Sequence, residues 1–208
     1  MRFLLLLALL ALLALLAASG VQAAAIERFK SFVGTTQSAR ADFEQKVFDR
    51  DRKLVQEAKG SFVLLRPGRF RWVYDKPVDQ LIVGDGERVW IYDRELKQAT
   101  VRKLSKALGS TPAALLAGAS DVESAFELSD AGERDGLEWL EAKPRDREAG
   151  FERIRMGLGS GGIEAMELAD NFGQTTLLRF FNLVRNPKVD PAQFRFVPPK
   201  GVDVLGDQ

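Results

Sequence analysis

The chain has 208 residues, with 30 Lys and Arg against 29 Asp and Glu, a formal net charge of +1, and neither Cys nor His. The missing residue types exclude disulfides, thiolate chemistry, Ser-His-Asp catalysis, imidazole metal ligation and a histidine pH switch. The balanced charge argues against a nucleic-acid partner, because polyanion binders carry a marked basic excess.

Met1-Arg2 precedes a run from Phe3 to Leu16 made only of Phe, Leu and Ala, and then Ala17-Ala18-Ser19-Gly20-Val21-Gln22-Ala23. A cationic start, an apolar stretch and a small-residue exit are the parts of a secretory signal peptide. The 14-residue run falls short of the roughly 20 residues that cross a bilayer. Residues 1–23 are therefore expected to be removed, by cleavage after Ala23 or Ala25, leaving 24–208 as one exported domain. No Cys follows the run, so no lipid anchor is expected on the chain itself. Loss of Arg2 brings the formal charge to zero.

Ile26, Phe29, Phe32 and Val33 recur at helical spacing and predict a helix over 25–34 that stops near Gly34. The period then falls to two. Phe43, Gln45 and Val47 share one strand face, Phe62, Leu64 and Arg66 a second, and Phe70, Trp72 and Tyr74 a third. Arg69, Arg71 and Val73 lie opposite the last set. Leu81-Ile82-Val83 and Val89-Trp90-Ile91-Tyr92 flank Gly84-Asp85-Gly86-Glu87, a hairpin signal. Thr111-Pro112 starts a short apolar helix through Ala117, stopped by Gly118, and Ser120–Glu123 opens another. Strands resume around 126–128, 137–142, 151–158, 163–168, 175–184 and 194–197. Their separators are Asp135-Gly136, Gly159-Ser160-Gly161-Gly162 and Asn171-Phe172-Gly173.

The glycine-rich separator lacks the Gly-Lys-Ser/Thr of a phosphate loop and reads as a hairpin. Glu138 and Glu141, around Trp139-Leu140, read as strand carboxylates and not as an acid/base pair. No catalytic set, metal cluster or cofactor motif emerges.

Many strands and few helices predict an α+β protein, a curved antiparallel sheet with short helices on one side. Phe62-Val63-Leu64-Leu65 is apolar on both faces. Either the covered side packs solidly, or it encloses a hollow roofed by residues 112–117; the pattern leaves both open. Arg66 ends the apolar run and precedes Pro67, which keeps it extended. It is either a solvated strand-end cation or a buried guanidinium that must find acceptors. Arg69-Phe70-Arg71-Trp72 interleaves cations and aromatics. Neutral charge and export make Arg69 and Arg71 candidates for docking an acidic membrane partner and not a single-stranded nucleic acid.

Several segments, in order, closely resemble the LolA family of periplasmic carriers of outer-membrane lipoproteins. They are Ala41-Asp42-Phe43-Glu44-Gln45-Lys46-Val47, Gly60-Ser61-Phe62, Arg66-Pro67-Gly68-Arg69-Phe70-Arg71-Trp72 and Leu81–Gly86. Val89–Tyr92, Gln98-Ala99-Thr100, Thr111–Leu116 and Phe194–Val202 complete them. The segment 130–162 matches less well. The resemblance implies an unclosed, strongly curved β-barrel with a helical lid over an apolar cavity. It implies that Arg66 latches lid backbone near Leu116, and that Phe70 stands at the cavity mouth. The lining set is Phe62, Leu64, Phe70, Trp72, Leu81, Val83, Trp90, Pro112, Leu115 and Leu116. The resemblance further implies a monomer without cofactor or catalysis. Such a carrier takes acylated lipoproteins from an inner-membrane ABC transporter and gives them to an outer-membrane acceptor lipoprotein. A lipid-sensing periplasmic regulator on the same scaffold is the alternative.

Overall fold

The computed structural model describes residues 24–107, 116, 117, 122–147 and 149–206. The predicted signal peptide and most of the predicted 111–118 helix, including Pro112 and Leu115, lie outside them.

Helix α1 spans Ala24–Thr35 and buries Ala25, Phe29 and Phe32, the stripe that its period predicts. Each phenylalanine contributes roughly 1.5–3 kcal/mol by leaving water. Gly34 does not end the helix; side chains from elsewhere do. Asn186 Nδ2 donates to Thr35 O at 2.9 Å, Arg66 Nε to Thr36 O at 2.9 Å, and Arg185 reaches the Thr35 and Thr36 hydroxyls. Two cations at this carbonyl end also suit the helix dipole.

Twelve strands follow among the described residues: β1 Ser38–Phe48, β2 Leu54–Leu65, β3 Arg69–Tyr74, β4 Gln80–Asp85, β5 Arg88–Asp93 and β6 Gln98–Lys103. Past short helices α2 (Leu104–Ala107) and α3 (Val122–Ala125) come β7 Phe126–Arg134, β8 Leu137–Pro144 and β9 Phe151–Gly159. β10 Gly162–Asp170, β11 Thr175–Arg185 and β12 Asp203–Gly206 complete the set. They form one sheet in the order β12-β6-β5-β4-β3-β2-β1-β11-β10-β9-β8-β7. Every pairing is antiparallel except β12 with β6. The end strands β12 and β7 are not paired to each other, so the sheet is open.

The predicted hairpins form where their turn residues allow. Asp135 and Gly136 both take positive φ, 56° and 73°, as a two-residue turn between β7 and β8 requires. Gly159 and Gly162 are likewise paired across a tight turn, so the glycine-rich run is a hairpin.

One predicted strand, 194–197, is absent. Pro191–Phe194 is instead a 3-10 turn, capped by Asp190 Oδ1 accepting from Ala192 N at 2.9 Å. Pro198-Pro199 offers no amide to a ladder, and pairing resumes only at Asp203.

Cross-strand register sorts side chains onto two faces. On the helix face Ala41, Phe62, Trp72, Ile82 and Ile91 form one row, and Leu64, Phe70, Gly84 and Val89 another. Phe43, Phe180, Leu178, Met166, Met156 and Leu140 continue the face through β1, β11, β10, β9 and β8. Helix α1 packs over β7–β10, α2 on β5 and β6, and α3 on β7.

Candidate functional site

The helix face is one continuous apolar surface that includes Phe29, Phe32, Leu116, Ala117 and Val122 from the helices. Its centre is aromatic. Phe43 and Trp72 stand 4.5 Å apart between ring centroids, Phe62 stacks on Trp72 at 5.3 Å, and Phe180 meets Phe62 edge-on at 5.4 Å. Around this centre Tyr74, Ile82, Ile91, Leu128 and Leu168 are only half-buried although they belong to the same surface.

Few polar atoms enter it. The Tyr74 hydroxyl donates to Gln45 Oε1 at 2.9 Å. Burial pushes its phenol up to about 12, against the opposing influence of Trp72 and Gln45. Trp72 Nε1 is buried beside this pair without a hydrogen bond of normal geometry.

Arg66 lies just beyond β2, at the margin of the face. Its main-chain N–H donates to Gln37 O at 2.8 Å and its Nε to Thr36 O at 2.9 Å. Nη1 is buried with no partner among the described residues. Burial pulls the guanidinium below its ordinary pKa. Arg66 is thus half-buried, with Nη1 out of water. Among the described residues its Nε meets the end of α1; the lid segment around Leu116, where the resemblance places its bond, lies mostly outside them. What ties Leu116-Ala117 to this turn is main chain, Gly68 N donating to Ala117 O at 3.0 Å. Only a residue able to hold φ at +68° fits there, which Gly68 supplies.

Of the predicted lining set, Phe62, Leu64, Phe70, Trp72 and Leu116 lie on the helix face. Phe70 is seated by Gly84, where a Cβ would fall 2.3 Å from the Phe70 ring. Leu81, Val83 and Trp90 do not lie there. Register pairs Leu81 with Val73 and Tyr92, and Val83 with Arg71 and Trp90, so all three point to the reverse face. There the C-terminal segment covers them, Phe196 meeting Trp90 and Tyr92 at 5.4 Å between centroids. Sequence reasoning assigned one side to strands that are apolar on both. It missed Ile82, Ile91 and Val89 for the same reason. The signal was Trp72, whose predicted face is carried across β4 by pairing with Ile82.

Arg69 and Arg71 also lie on the reverse face, as expected. Arg71 Nη1 donates to Gln193 O at 3.3 Å and so holds the C-terminal segment. Burial first, then Arg94, lowers its pKa. Glu138 and Glu141 fall on opposite faces. Glu138 pairs with Arg28 at 2.9 Å and Glu141 with Arg155 at 2.8 Å, so the two cannot act on one substrate. Among the described residues no group of His, Cys, Asp or Glu could hold a metal ion, and no helix is long and apolar enough to cross a membrane.

The fold is thus an open, mostly antiparallel sheet with short helices on one apolar face. Residues 34–197 match the family described as "Outer membrane lipoprotein carrier protein LolA". The chain belongs to the LolA family. It is 50% identical over 190 residues to an outer-membrane lipoprotein carrier protein of Nitrosospira multiformis, covering 91% of this chain and 92% of that one. To the protein of that description in Dechloromonas aromatica it is 46% identical over 185 residues, 89% of each. A solved structure of an uncharacterized conserved protein from Thermus thermophilus shares the fold, with a TM-score of 0.52 at 15% identity, over 86% of this chain and 95% of that one. The family is one of transport proteins and not of enzymes.

Proposed function

We propose that the chain is a periplasmic carrier that shields lipoprotein acyl chains on its helix face. It receives acylated lipoproteins from an inner-membrane ABC transporter and delivers them to an outer-membrane acceptor lipoprotein. Family membership supports the carrier role. The observation that carries the shielding is the set of half-buried apolar chains, Tyr74, Ile82, Ile91, Leu128 and Leu168, contiguous with a buried aromatic centre. Apolar surface left accessible beside a core favours contact with hydrocarbon. On this reading the sheet curves into an unclosed barrel and the helices form its lid. Residues 1–23 are cleaved on export, and 24–208 act as a monomer without cofactor.

Exposing acyl chains to water costs about 0.8 kcal/mol per CH₂, so one chain of about 16 carbons represents about 12 kcal/mol. A carrier must cover this surface yet release it. Phe62, Leu64, Phe70 and Trp72 supply the walls, with Leu116 on the same apolar face. Arg66 is the latch, because a guanidinium with a dry, unpaired Nη1 holds its position by a small net margin. Arg69 is the cation left for docking a membrane partner, since Arg71 is engaged by Gln193.

Purified triacylated lipoprotein should stay soluble with the carrier and transfer to acceptor, while its deacylated form should not associate. Charging the half-buried surface with Ile82→Glu and Ile91→Glu should cut retention at least tenfold. Equal association of acylated and deacylated cargo would sink the proposal.

A further inference from the structure

Where Trp72, Tyr74 and Gln45 meet, the helix face changes character. Gln45 lies opposite Leu178 and Ala58 on that face, and its Oε1 accepts from the Tyr74 hydroxyl at 2.9 Å. Trp72 is 3% exposed. It stands close enough to Tyr74 to act on the phenol, yet its Nε1 is buried and closes no hydrogen bond among the described residues. The indole is not free to turn towards water, because Phe43 lies 4.5 Å away between centroids and Phe62 stacks on it at 5.3 Å. A fixed N–H is thus held dry beside a Tyr–Gln pair.

The surroundings differ on the two sides of this group. On one side lies hydrocarbon: Trp72 pairs with Ile82 and Ile82 with Ile91, and Tyr74, Ile82 and Ile91 are half-buried. On the other, Gln45 borders a cleft of about 330 Å³ with Lys46, Glu57, Lys59, Lys76 and Pro77, all exposed. Lys46 and Glu57 pair there at 3.0 Å. The polar trio therefore stands on the line between an apolar strip and a wet, charged cleft.

We infer that this border seats the acyl carbonyl of a bound lipid, Trp72 Nε1 and the Gln45 amide donating to it, with the hydrocarbon along Ile82 and Ile91 and the polar head towards the Lys59–Lys76 cleft. The ester or amide of a lipid joins its hydrocarbon to its head, so it must lie where a bound chain crosses from dry to wet. Its carbonyl oxygen accepts and never donates, which is what a buried N–H lacks. Tyr74 is a positioning residue: its hydroxyl occupies Gln45 Oε1 and leaves the two amide N–H groups as the free half of that side chain. The inference rests on the carrier reading and adds which part of the lipid is recognised.

The test titrates the purified chain with a synthetic diacylated lipopeptide and with its dialkyl ether counterpart of equal chain length. Loss of both ester carbonyls makes the ether the more apolar ligand, so burial alone would favour it. The seat predicts the reverse, with the ester bound about tenfold more tightly. In Trp72→Phe the ratio of the two affinities should fall to within about twofold, whatever happens to each. Gln45→Leu should lower the ratio too, and it serves where Trp72→Phe does not fold. With isotope-labelled indole nitrogens, the Trp72 N–H resonance should move downfield on adding the ester and much less on adding the ether. Equal affinity for the two ligands, or preference for the ether, would overturn the seat and leave the carrier reading standing. So would an equal indole shift with both. Binding of neither ligand would sink the seat and the carrier reading together.

Discussion

Replacing Arg66 with Leu tests how tightly the margin of the helix face is held. The wild-type guanidinium makes one bond to a main-chain carbonyl, Nε to Thr36 O at 2.9 Å. A charge-assisted bond of this kind contributes about 1.5–3 kcal/mol. Against it stands Nη1, buried with no partner among the described residues; an unsatisfied buried donor costs about 1–3 kcal/mol, more when charged. The two nearly cancel. Leucine forfeits the first and relieves the second, while its methyls pack against an apolar margin. The variant's unfolding free energy, from urea titration of the empty protein, should therefore lie within about 1 kcal/mol of wild type. For a chain of this size that is a shift of about 2–4 °C in Tm. Retention of triacylated cargo should rise several-fold at the same time, because closure no longer competes with it. A loss of more than about 3 kcal/mol would refute the reasoning, since it would mean that Nη1 is well satisfied in solution.

Tyr74 should make stability fall at alkaline pH. Its phenol is raised in the folded state from 10.0 to about 12, so the unfolded chain loses this proton first. The contribution is complete below pH 10 and is lost as pH rises through about 12, at a slope near 1.4 kcal/mol per pH unit; Tyr74→Phe should flatten that limb in a pH series of urea titrations. Gly84→Ala should destabilise by about 1–3 kcal/mol, because the added Cβ would fall 2.3 Å from the Phe70 ring. A near-ultraviolet circular dichroism change should accompany that loss, and an unaltered spectrum with unaltered Tm would show that Phe70 is not seated there.

Much of the candidate site was legible where a strand has one unambiguous face. Phe70, Trp72 and Tyr74 alternate with Arg69, Arg71 and Val73, and the structure keeps that division. Leu81, Val83 and Trp90 were not legible, because Leu81-Ile82-Val83 is apolar on both sides and local pattern carries no parity across a turn. Phe194–Val197 has the composition of a strand, yet Asp190 and Pro191 cap a 3-10 turn first.

The sequence by itself determined the excluded chemistries, the strand-rich character in outline, the amphipathic start of α1 and the turns at Asp135-Gly136 and Gly159–Gly162. These follow from residue type and short-range period. Only the tertiary structure decided that the end of α1 receives Arg66 Nε. The C-terminal segment's cover over Trp90, and the meeting of the Phe172 turn with Arg50, were likewise settled in space. Each joins residues far apart in the chain, and such contacts depend on which strands pair and in what register, which no local pattern encodes.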